Sequence, residues 1–391
     1  MYRQIEHQLD LWRTGAGRKP LVLKGARQVG KTYVLKEWGA KSFAAVHYVN
    51  FEKSPEAVKV FDRDFDVHRI LKEIEFFLKA TIDIEKDVLI LDEIQTAPKA
   101  LTSLKYFCED LPQLAVCTAG SLLGVILTEE SFPVGKVSFL YLHPFSFREF
   151  LLAIDDRQSH QWLPEPSLQA QIPLIVHDHL WEMLKLYYVV GGMPESVLTF
   201  KRLSHNLHTA FPQVREIQRD LLSTYENDFA KHAGKLNALH IQALYRNIPS
   251  QLCAVHDDSV QRFKFSGVLP GKKGFAAWER PLHWLINAAL AIQVKIANSA
   301  RLPLEHYTKA NIFKLYMHDV GLLGCASMLD PEILWRQEYG LAKGFFAENF
   351  VMQELRAAHF KYLWPLYAWN EGNAEIEVVR PYQGLSLIHI S

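Results

Sequence analysis

The chain has 391 residues, too many for a disulfide-stapled miniprotein or a single small binding module, and this length fits about two to four domains. It carries 43 Lys and Arg against 43 Asp and Glu, so the formal net charge is zero. That balance excludes a chain-wide basic surface of the kind that coats nucleic acid or an anionic membrane, but it allows a local basic patch. With 49% hydrophobic and 22% charged residues, the composition is that of an ordinary folded protein.

The number and spacing of the cysteines and the N-terminal sequence indicate in which cellular compartment the protein resides. The four cysteines, at 108, 117, 253 and 325, are too few and too far apart for a disulfide framework or a zinc ribbon, so we expect buried free thiols in a reducing compartment. The N-terminal segment is charged and amphipathic, which is unlike a secretory signal. No run approaches about eighteen uncharged apolar residues. The sequence therefore predicts a cytoplasmic protein with no membrane association.

A glycine-rich loop follows a short apolar strand near the N-terminus. The strand pattern PLVLK, residues 20–24, leads into GARQVGKT, residues 25–32, and then into the helical pattern YVLKEW. This is the full G-x-x-x-x-G-K-[ST] pattern in its strand–loop–helix context. An ordinary glycine turn before a helix is the alternative. The favoured reading is a phosphate-binding loop.

The chemistry of this loop assigns a role to each of its polar positions. Gly25 and Gly30 allow tight turns that present backbone N–H groups to phosphate oxygens, and the following helix N-terminus adds its dipole. Lys31 is expected to reach the β and γ phosphates, and the Thr32 hydroxyl to ligate magnesium. The predicted nucleotide-binding residues of the loop are Gly25, Ala26, Arg27, Gln28, Val29, Gly30, Lys31, Thr32 and Tyr33.

An acidic pair ends a second apolar strand about sixty residues further on. The segment DVLILDE, residues 87–93, contains a continuous apolar run, as expected of a parallel strand that is covered on both faces. Asp92 is placed to hold magnesium through water, and Glu93 to orient or deprotonate the attacking water. A solvated turn is the alternative. Beside the phosphate-binding loop, we favour the catalytic interpretation, with Lys31 and Glu93 as the catalytic residues.

The remaining N-terminal elements complete an alternating pattern of strands and helices. A strand is predicted over 44–52, helices over 66–80 and near 99–110, and strands over 114–118 and 137–142. This order resembles the additional-strand P-loop ATPases of the AAA and STAND-like class. In that class a polar residue at the tip of the next strand senses the γ phosphate. Thr118 and Ser121 are the candidates, and a helix N-cap is an equal alternative for either.

Five motifs in this order and spacing resemble one family. They are GARQVGKT, LILDEIQ, TAGSLLG, LHPFSFREFL and YYVVGGMPESV. The sequence resembles the bacterial and archaeal AAA-type ATPases that are known as ATP-binding proteins and carry a C-terminal domain of unknown function. Later segments, IPSQL from Ile248, FKLYMHDVGLL from Phe313 and FFAENFVMQEL from Phe345, are similar to that C-terminal part. The resemblance covers nearly the whole chain.

The resemblance implies a fold and a division into domains. It implies an α/β P-loop NTPase with a three-layer parallel sheet, then a helical lid and winged-helix-like region, and then a partial restriction-endonuclease-like α/β domain. The expected domains are residues 1–150 for the ATPase core, 151–225 for the lid, 226–330 for the winged-helix-like part and 331–391 for the nuclease-like part. Between Tyr245 and Leu329 we expect mainly helical segments punctuated by Pro, Gly and Lys.

The resemblance also implies a lid contact to the nucleotide. The segment GGMPE, residues 191–195, is similar to the Gly-x-Pro turn with which STAND-type ATPases close a lid, and it makes Pro194 a predicted nucleotide contact. A helix-to-helix turn without such contact is an equal alternative. Arg148, Arg215 and Arg219 all fit the role of an arginine finger, and the sequence does not choose among them.

Two features of the C-terminal half bear on nucleic acid. Residues 271–274, GKKG, form a local basic spot with Lys264 and Arg280. It could touch DNA phosphates, and a protein-docking or purely structural module is the alternative.

Further on, Glu348 on a helix over 341–355, which also carries Glu354, and Glu377 on a following strand, beside Glu375, fit two of the acids of a PD-(D/E)xK nuclease. No Glu-x-Lys follows, and the terminal QGLSLIHIS resembles non-native sequence joined to a truncated gene. Acids on a solvated strand edge are therefore the preferred reading.

The sequence thus predicts binding of ATP with Mg²⁺ and magnesium-dependent hydrolysis that drives a conformational switch in the C-terminal domains. The predicted metal ligands are Thr32 and Asp92. The alternatives are an ATP-gated nucleic-acid-binding or nuclease protein, and a defence or toxin–antitoxin regulator that acts through protein contacts. The candidate partners are ATP, DNA, a second copy of the chain and an unidentified protein. ATP is preferred to GTP because no Asn-Lys-x-Asp loop is visible.

Overall fold

The computed structural model of the chain describes residues 1–120, 135–163, 172–232, 234–253, 262–272, 274–338, 340, 343–371, 374–382 and 385–390. It divides into two compact units. The first comprises Met1–His143 with His359–Tyr362, and the second Pro144–Ala358 with Leu363–Ser391. None of the described helices combines the length and the apolar character that crossing a membrane requires.

The first unit is an alternation of strands and helices. Its strands are β1 Leu21–Lys24, β2 Val46–Asn50, β3 Val88–Asp92, β4 Ala115–Ala119 and β5 Ser138–Tyr141. Its helices are α1 Ile5–Thr14, α2 Lys31–Ser42, α3 Val67–Leu78 and α4 Pro98–Asp110, with 3-10 turns at Pro55–Phe61 and Ile94–Thr96. Each strand and helix predicted for this part is present, within one or two residues of its predicted bounds except for α2, which ends four residues beyond the predicted pattern YVLKEW.

These strands form one parallel sheet in the order β2-β3-β4-β1-β5. Strand β4 lies between β1, which precedes the glycine-rich loop, and β3, which ends in the acidic pair. In register, Asp92 faces Asn50 of β2 and Ala119 of β4. The predicted α/β fold of a P-loop NTPase is confirmed. Because all strands are parallel, the carboxyl ends of β1 and β3 meet at the same edge of the sheet.

Burial on both faces explains why β3 is continuously apolar. All five of its residues are buried. Leu89 and Leu91 pack in a core cluster with residues of α3 and α4, while α2 covers the other face, where Gly39 allows the helix to approach Val88 and Val46 closely. Each face of the strand therefore buries apolar surface, which stabilises the layer arrangement.

The second unit is mainly helical, with a second sheet. Its helices are α5 Phe147–Ala153, α6 Arg157–Trp162, α7 Leu174–Val190, α8 Pro194–Leu203, α9 Leu207–His232, α10 Lys235–Cys253, α11 Glu279–Asn287, α12 Val320–Ala326, α13 Pro331–Arg336 and α14 Lys343–Ala357. Its strands are β6 Ala291–Ala297, β7 Thr308–Met317, β8 Leu366–Glu371, β9 Ala374–Tyr382 and β10 Leu385–Ile390.

The second sheet has the order β10-β9-β8-β6-β7. Strands β6 and β8 run parallel, and the other neighbours are antiparallel. The prediction of mainly helical structure between Tyr245 and Leu329 is therefore wrong for β6 and β7. These strands precede residue 330 and pair in one sheet with strands that follow it. The division of the chain into four domains stays a prediction.

The four cysteines differ in exposure, so the prediction that all of them are buried needs one correction. All four are free thiols. Cys117 and Cys325 are buried, Cys108 is partly buried, and Cys253 is exposed, so the prediction of buried thiols is wrong for Cys253. Burial raises the pKa of Cys117 well above its ordinary value, because the thiolate loses solvation.

Asp319 fixes the double-glycine turn that follows α7. Its carboxylate accepts hydrogen bonds from the Gly192 N–H (2.6 Å) and from the Leu322 N–H (2.9 Å), and it caps helix α12. Gly191 has a φ of 70°, and a Cβ there would lie 2.2 Å from Asp319 Oδ1. Two sequence motifs, YYVVGGMPESV and FKLYMHDVGLL, therefore meet at one buried carboxylate.

Glu354 of α14 gives a stability prediction that depends on pH. Its carboxyl accepts a hydrogen bond from the Phe147 N–H (2.9 Å), and burial raises its pKa to about 8. Since the pKa is higher in the folded state than in the unfolded chain, its contribution to stability falls as pH rises from about 4.5 through about 8. We expect the wild type to lose a few kcal/mol more than Glu354→Gln between about pH 5 and pH 9, at about 1.4 kcal/mol per pKa unit.

Urea unfolding of both proteins at the two pH values measures this difference. Glu216→Gln, an exposed substitution on α9, is the matched control and should follow the wild type. Parallel profiles for wild type and Glu354→Gln would contradict the assignment.

Candidate functional site

The glycine-rich loop connects β1 to α2 through unusual backbone angles. Gly25 has a φ of 153° and Gly30 a φ of 93°, and Gln28 between them has a φ of 64°. A Cβ on Gly25 would lie 2.2 Å from the carbonyl oxygen of Leu142, so only glycine fits there without movement of the backbone. The loop ends at the first residue of α2, where the unpaired N–H groups of the helix begin.

Lys31 is folded back onto this loop. Its side chain is 8% exposed, and its ammonium donates hydrogen bonds to the carbonyl oxygens of Gly25 (2.9 Å) and Ala26 (2.8 Å). Burial lowers its pKa to about 8, although the charges of Glu93 and Asp92 act in the opposite direction. A cation is thus held inside the loop, close to two carboxylates and to the helix N-terminus.

Asp92 ends β3 and is joined to the loop by Thr32. It is 2% exposed. The Thr32 hydroxyl donates to Asp92 Oδ2 (2.8 Å), the Tyr48 hydroxyl donates to the same oxygen (2.8 Å), and the Glu93 N–H donates to Oδ1 (3.0 Å). Hydroxyl and carboxylate oxygens are the donors that Mg²⁺ prefers. The residues present therefore fit a magnesium ion at Thr32 and Asp92.

Glu93 follows in a left-handed backbone conformation, with φ 51° and ψ 41°. This geometry costs energy in a residue other than glycine, and such strain is concentrated at functional positions. The Gln95 side-chain amide donates a hydrogen bond to the Glu93 carboxylate. The sharp turn after β3 thus orients Glu93 separately from Asp92, although the two are adjacent in sequence.

The other predicted loop residues differ in exposure. Ala26 and Val29 are buried, and their carbonyl oxygens accept hydrogen bonds from Lys31 and Arg3. Gln28 and Tyr33 are exposed, and the Tyr33 hydroxyl accepts a hydrogen bond from the N-terminal ammonium of Met1 (2.8 Å). Arg27 is partly buried.

The two candidates for γ-phosphate sensing have different outcomes. Thr118 is fully buried in β4, and its hydroxyl donates to the carbonyl oxygen of Leu21 on β1 (3.3 Å). The hydroxyl proton of Thr118 is therefore engaged in a hydrogen bond within the sheet, which argues against a role in sensing the γ phosphate. Ser121 lies outside the described residues.

Three residues of the site were not singled out from the sequence. Arg3 is 3% exposed and donates to the carbonyl oxygens of Val29 (3.0 Å) and His143 (2.6 Å), so it holds the glycine-rich loop. Tyr48 and Asn50 of β2 reach Asp92 from the neighbouring strand, at 2.8 and 3.5 Å. The pairing of β2 with β3 is the signal that places them there.

Tyr48→Phe tests how far this neighbour orients Asp92. The substitution removes one hydrogen bond to a carboxylate, a contact of roughly 1.5–3 kcal/mol, and keeps the ring. We expect the Mg²⁺ concentration for half-maximal ATP hydrolysis to rise about tenfold or more, since about 1.4 kcal/mol is a factor of ten. Tyr106→Phe on α4 is the matched control. An unchanged magnesium titration in Tyr48→Phe would show that Asp92 is positioned without Tyr48.

The residues predicted for the lid and the arginine finger lie in the second unit. Pro194 is the first residue of α8, directly after the turn held by Asp319. Arg148 donates to the carbonyl oxygen of Leu163 (3.1 Å). Arg215 is buried and donates to backbone carbonyls of the same unit, and Arg219 is exposed. The nucleotide contact of Pro194 stays a prediction.

The basic spot predicted around residues 271–274 is partly occupied by internal contacts. The Lys272 ammonium lies 2.8 Å from His240 Nδ1 and 4.8 Å from the ring centroid of Trp278. Lys273 lies outside the described residues. Lys264 lines a separate groove together with Arg262 and Lys309.

Two of the acids considered for a nuclease site, Glu348 and Glu375, lie beside Lys314, which was not singled out from the sequence. Lys314 of β7 is 4% exposed and pairs with Glu375 (2.6 Å) and Glu348 (3.3 Å), and the Tyr316 hydroxyl also donates to Glu348 (2.6 Å). Burial acts to lower the pKa of Lys314, but the two carboxylates outweigh it and raise the pKa.

Glu377 lies on the same strand as Glu375. Within the described ranges, no group of three or more His, Cys, Asp or Glu side chains is arranged to hold a metal.

The parallel sheet, the glycine-rich loop and the acid at the end of β3 together define the first unit as having a P-loop NTPase fold. Residues 17–151 match the AAA domain family, which supports nucleotide binding. Residues 182–333 match a domain family of unknown function. No curated protein matches the chain.

Several solved structures resemble the chain at low sequence identity. A Walker-type ATPase of Pyrococcus abyssi shares 13% identity over 83% of this chain and 95% of its own, with a TM-score of 0.51, which supports the fold. AMPPCP-bound DnaA from Aquifex aeolicus shares 12% identity over 62% and 77%, with a TM-score of 0.32. The Orc1 protein of Aeropyrum pernix in complex with DNA shares 14% over 83% and 91%, also at 0.32.

Proposed function

We propose that the chain binds ATP with Mg²⁺ at the glycine-rich loop of the first unit and hydrolyses it. The hydrogen bond of 2.8 Å between the Thr32 hydroxyl and Asp92 Oδ2 carries this proposal, because it joins the loop to the strand-end carboxylate. The same two groups hold the metal in P-loop NTPases. The match of residues 17–151 to the AAA domain family supports it independently.

The residues of the site divide the work of phosphate binding. The loop N–H groups and the N-terminus of α2 bind phosphate oxygens, and Lys31 adds a buried positive charge. Thr32 and Asp92 would hold magnesium, which neutralises phosphate charge when it is bound. Glu93 accepts a proton from the attacking water, and the Gln95 amide orients its carboxylate. Tyr48 and Arg3 position Asp92 and the loop.

We further propose that hydrolysis drives a conformational switch in the second unit, in the manner of a STAND-type ATPase. The turn at Gly191 and Gly192 supports this idea, because its geometry depends on glycine and is held by one buried carboxylate, Asp319. Pro194 at the start of α8 would be the lid residue that responds to nucleotide. The partner would be a protein or a second copy of the chain.

Equilibrium binding of ATP and GTP, with and without Mg²⁺, tests the proposed function. We expect ATP to bind more tightly than GTP and Mg²⁺ to strengthen binding. Size-exclusion chromatography with each nucleotide tests the switch through a change in oligomer size. Failure to bind either nucleotide would overturn the proposal, whereas binding without a change in size would remove only the oligomeric form of the switch.

A second candidate function is nucleic-acid binding by the second unit. A groove of about 290 Å³ is lined by Arg262, Lys264 and Lys309, and no carboxylate is among its described lining residues. No ion pair to any of the three cations is present in the described part of the chain. Clustered unpaired cations beside amide side chains, here Asn298 and Asn370, suit a phosphate backbone. The paired Glu348 and Glu375 carry no proposal of nuclease activity.

A charge-matched pair of triple variants tests this groove. We expect Arg262→Gln/Lys264→Gln/Lys309→Gln to weaken binding of a fluorescent DNA duplex and to reduce the slope of log affinity against log salt by about one per lost phosphate contact. Arg13→Gln/Lys72→Gln/Arg202→Gln removes the same charge from exposed positions elsewhere. Equal affinities of the two variants would rule the groove out.

A further inference from the structure

A cleft between helices α9 and α13 of the second unit is lined by none of the residues to which the proposed function gives a role. Its volume is about 530 Å³, and residues 208–219 form one wall and residues 330–338 the other. This volume is within the range of about 300–1,000 Å³ of small-molecule sites. We call it the arginine cleft, after Arg215, Arg219 and Arg336, which all line it.

Arg215 is the unusual residue of the arginine cleft, because its charge is buried without a carboxylate in contact. It is 5% exposed. Its guanidinium donates to neutral oxygens, Gln218 Oε1 (2.6 Å) and the carbonyls of Gly321 and Leu329 (both 3.2 Å), and also interacts with the Cys325 side chain. Its Nε is buried and has no hydrogen-bond partner in the described part of the chain. Buried charges in proteins are normally paired, so this arrangement lacks an anion.

Arg219 adds a second cation on the same wall. Phe211, Arg215 and Arg219 follow one another at intervals of four residues on α9. Residues with this spacing lie on one face of a helix. Arg219 is exposed and makes no ion pair with a described residue. Two arginines and an aromatic residue therefore line the same cleft.

Three acids line the opposite wall of the arginine cleft: Asp330, Glu332 and Glu338. The carboxylate of Asp330 caps α13 by accepting the Glu332 N–H (2.8 Å), and its charge also acts on Arg215. Glu332 pairs with His208 (2.9 Å) and with Arg336 (3.3 Å). Within the described part of the chain none of these acids forms an ion pair with Arg215 or Arg219, so neither arginine has a carboxylate partner in the cleft.

We propose that the arginine cleft binds a small anionic ligand through one oxyanion, a phosphate or a carboxylate, held by Arg215 and Arg219. A guanidinium presents two parallel N–H donors that match both oxyanions, and Arg215 and Arg219 both line the cleft. Phe211 provides an apolar surface for the rest of the ligand, and the carboxylates of the opposite wall accept from its hydroxyl or amino groups.

Calorimetry on the full chain carrying Lys31→Ala tests the proposal without phosphate binding at the loop. Inorganic phosphate, glucose 6-phosphate and citrate are titrated at equal ionic strength. We expect saturable binding of at least one of them, weakened about tenfold or more by adding Arg219→Gln, because a charge-assisted bond is lost. Arg202→Gln, exposed on α8, is the control and should leave the affinity unchanged.

Each outcome decides the matter. Preference for the two phosphates identifies a phosphorylated ligand, and preference for citrate a carboxylate ligand. No saturable binding by any of the three, or equal affinity with and without Arg219→Gln, would overturn the proposal. Since Arg219 is exposed, the variant is expected to fold, and circular dichroism checks this. The proposed ATP site is unaffected by either result.

Discussion

Replacing Lys31 by Ala is expected to lower the affinity of the chain for magnesium–ATP by at least about a hundredfold, since two or more charge-assisted hydrogen bonds of roughly 1.5–3 kcal/mol each are lost. Lys31 is 8% exposed, and its ammonium is already held inside the loop by the carbonyl oxygens of Gly25 and Ala26. Calorimetric titration with ATP and Mg²⁺ measures the loss.

The control for this variant is Lys41→Ala, at the exposed end of the same helix, where the lysine pairs only with Glu6 (3.3 Å). It should bind ATP as the wild type does. The low pKa of Lys31, about 8 through burial, adds a second signature. Above that pH the free protein loses the positive charge, so wild-type affinity should fall as pH rises through about 8. Unchanged ATP affinity in Lys31→Ala would refute the assignment of the loop.

Replacing Glu93 by Gln is expected to leave ATP binding intact and to slow hydrolysis by at least about a hundredfold, the range that a positioned general base contributes. The amide has the same shape as the carboxylate, so the turn with φ 51° and the contact to Gln95 can persist. The amide does not accept a proton from water. The effect therefore falls on kcat and not on the dissociation constant.

Single-turnover hydrolysis and equilibrium binding, measured on the same preparation, separate these two quantities. Glu37→Gln on the exposed face of α2 is the matched control and should turn over at the wild-type rate. If Glu93→Gln hydrolysed ATP as fast as the wild type, Glu93 would not be the base, and a water-orienting role for another group would have to be sought.

The arrangement of the candidate site could be predicted from the sequence because its parts are local motifs on parallel strands. The residues 25–32 specify a loop, and the apolar run before Asp92 specifies a buried strand. Parallel strands bring their carboxyl ends to one edge, which places Thr32 beside Asp92. No knowledge of side-chain packing was needed to expect that contact.

The supporting residues could not be found in this way. Arg3 reaches Val29 across 26 residues and His143 across 140 residues of sequence. Tyr48 contacts Asp92 only because β2 and β3 pair in a particular register. Nothing in the local pattern around either residue indicates such a partner. These contacts are decided by tertiary packing.

The second unit was predicted less well for a physical reason. Strand β7, TKANIFKLYM, mixes apolar and polar residues in short runs that periodicity alone does not separate from helix, whereas β6, AIQVKIA, has the alternation typical of a strand. The pairing of Lys314 with Glu348 and Glu375 joins β7, α14 and β9, and depends on a mixed sheet that the sequence did not indicate. The motifs GGMPE and HDVG were recognised separately, and their meeting at Asp319 was not foreseen.

Phosphate release with excess ATP and Mg²⁺, recorded side by side for the wild type, Lys31→Ala and Glu93→Gln, tests the central claim most directly. We predict steady release by the wild type that stops when Mg²⁺ is chelated and is absent from both variants, with only Glu93→Gln retaining ATP. Release by Lys31→Ala at the wild-type rate, or none by the wild type in any condition, would contradict the claim.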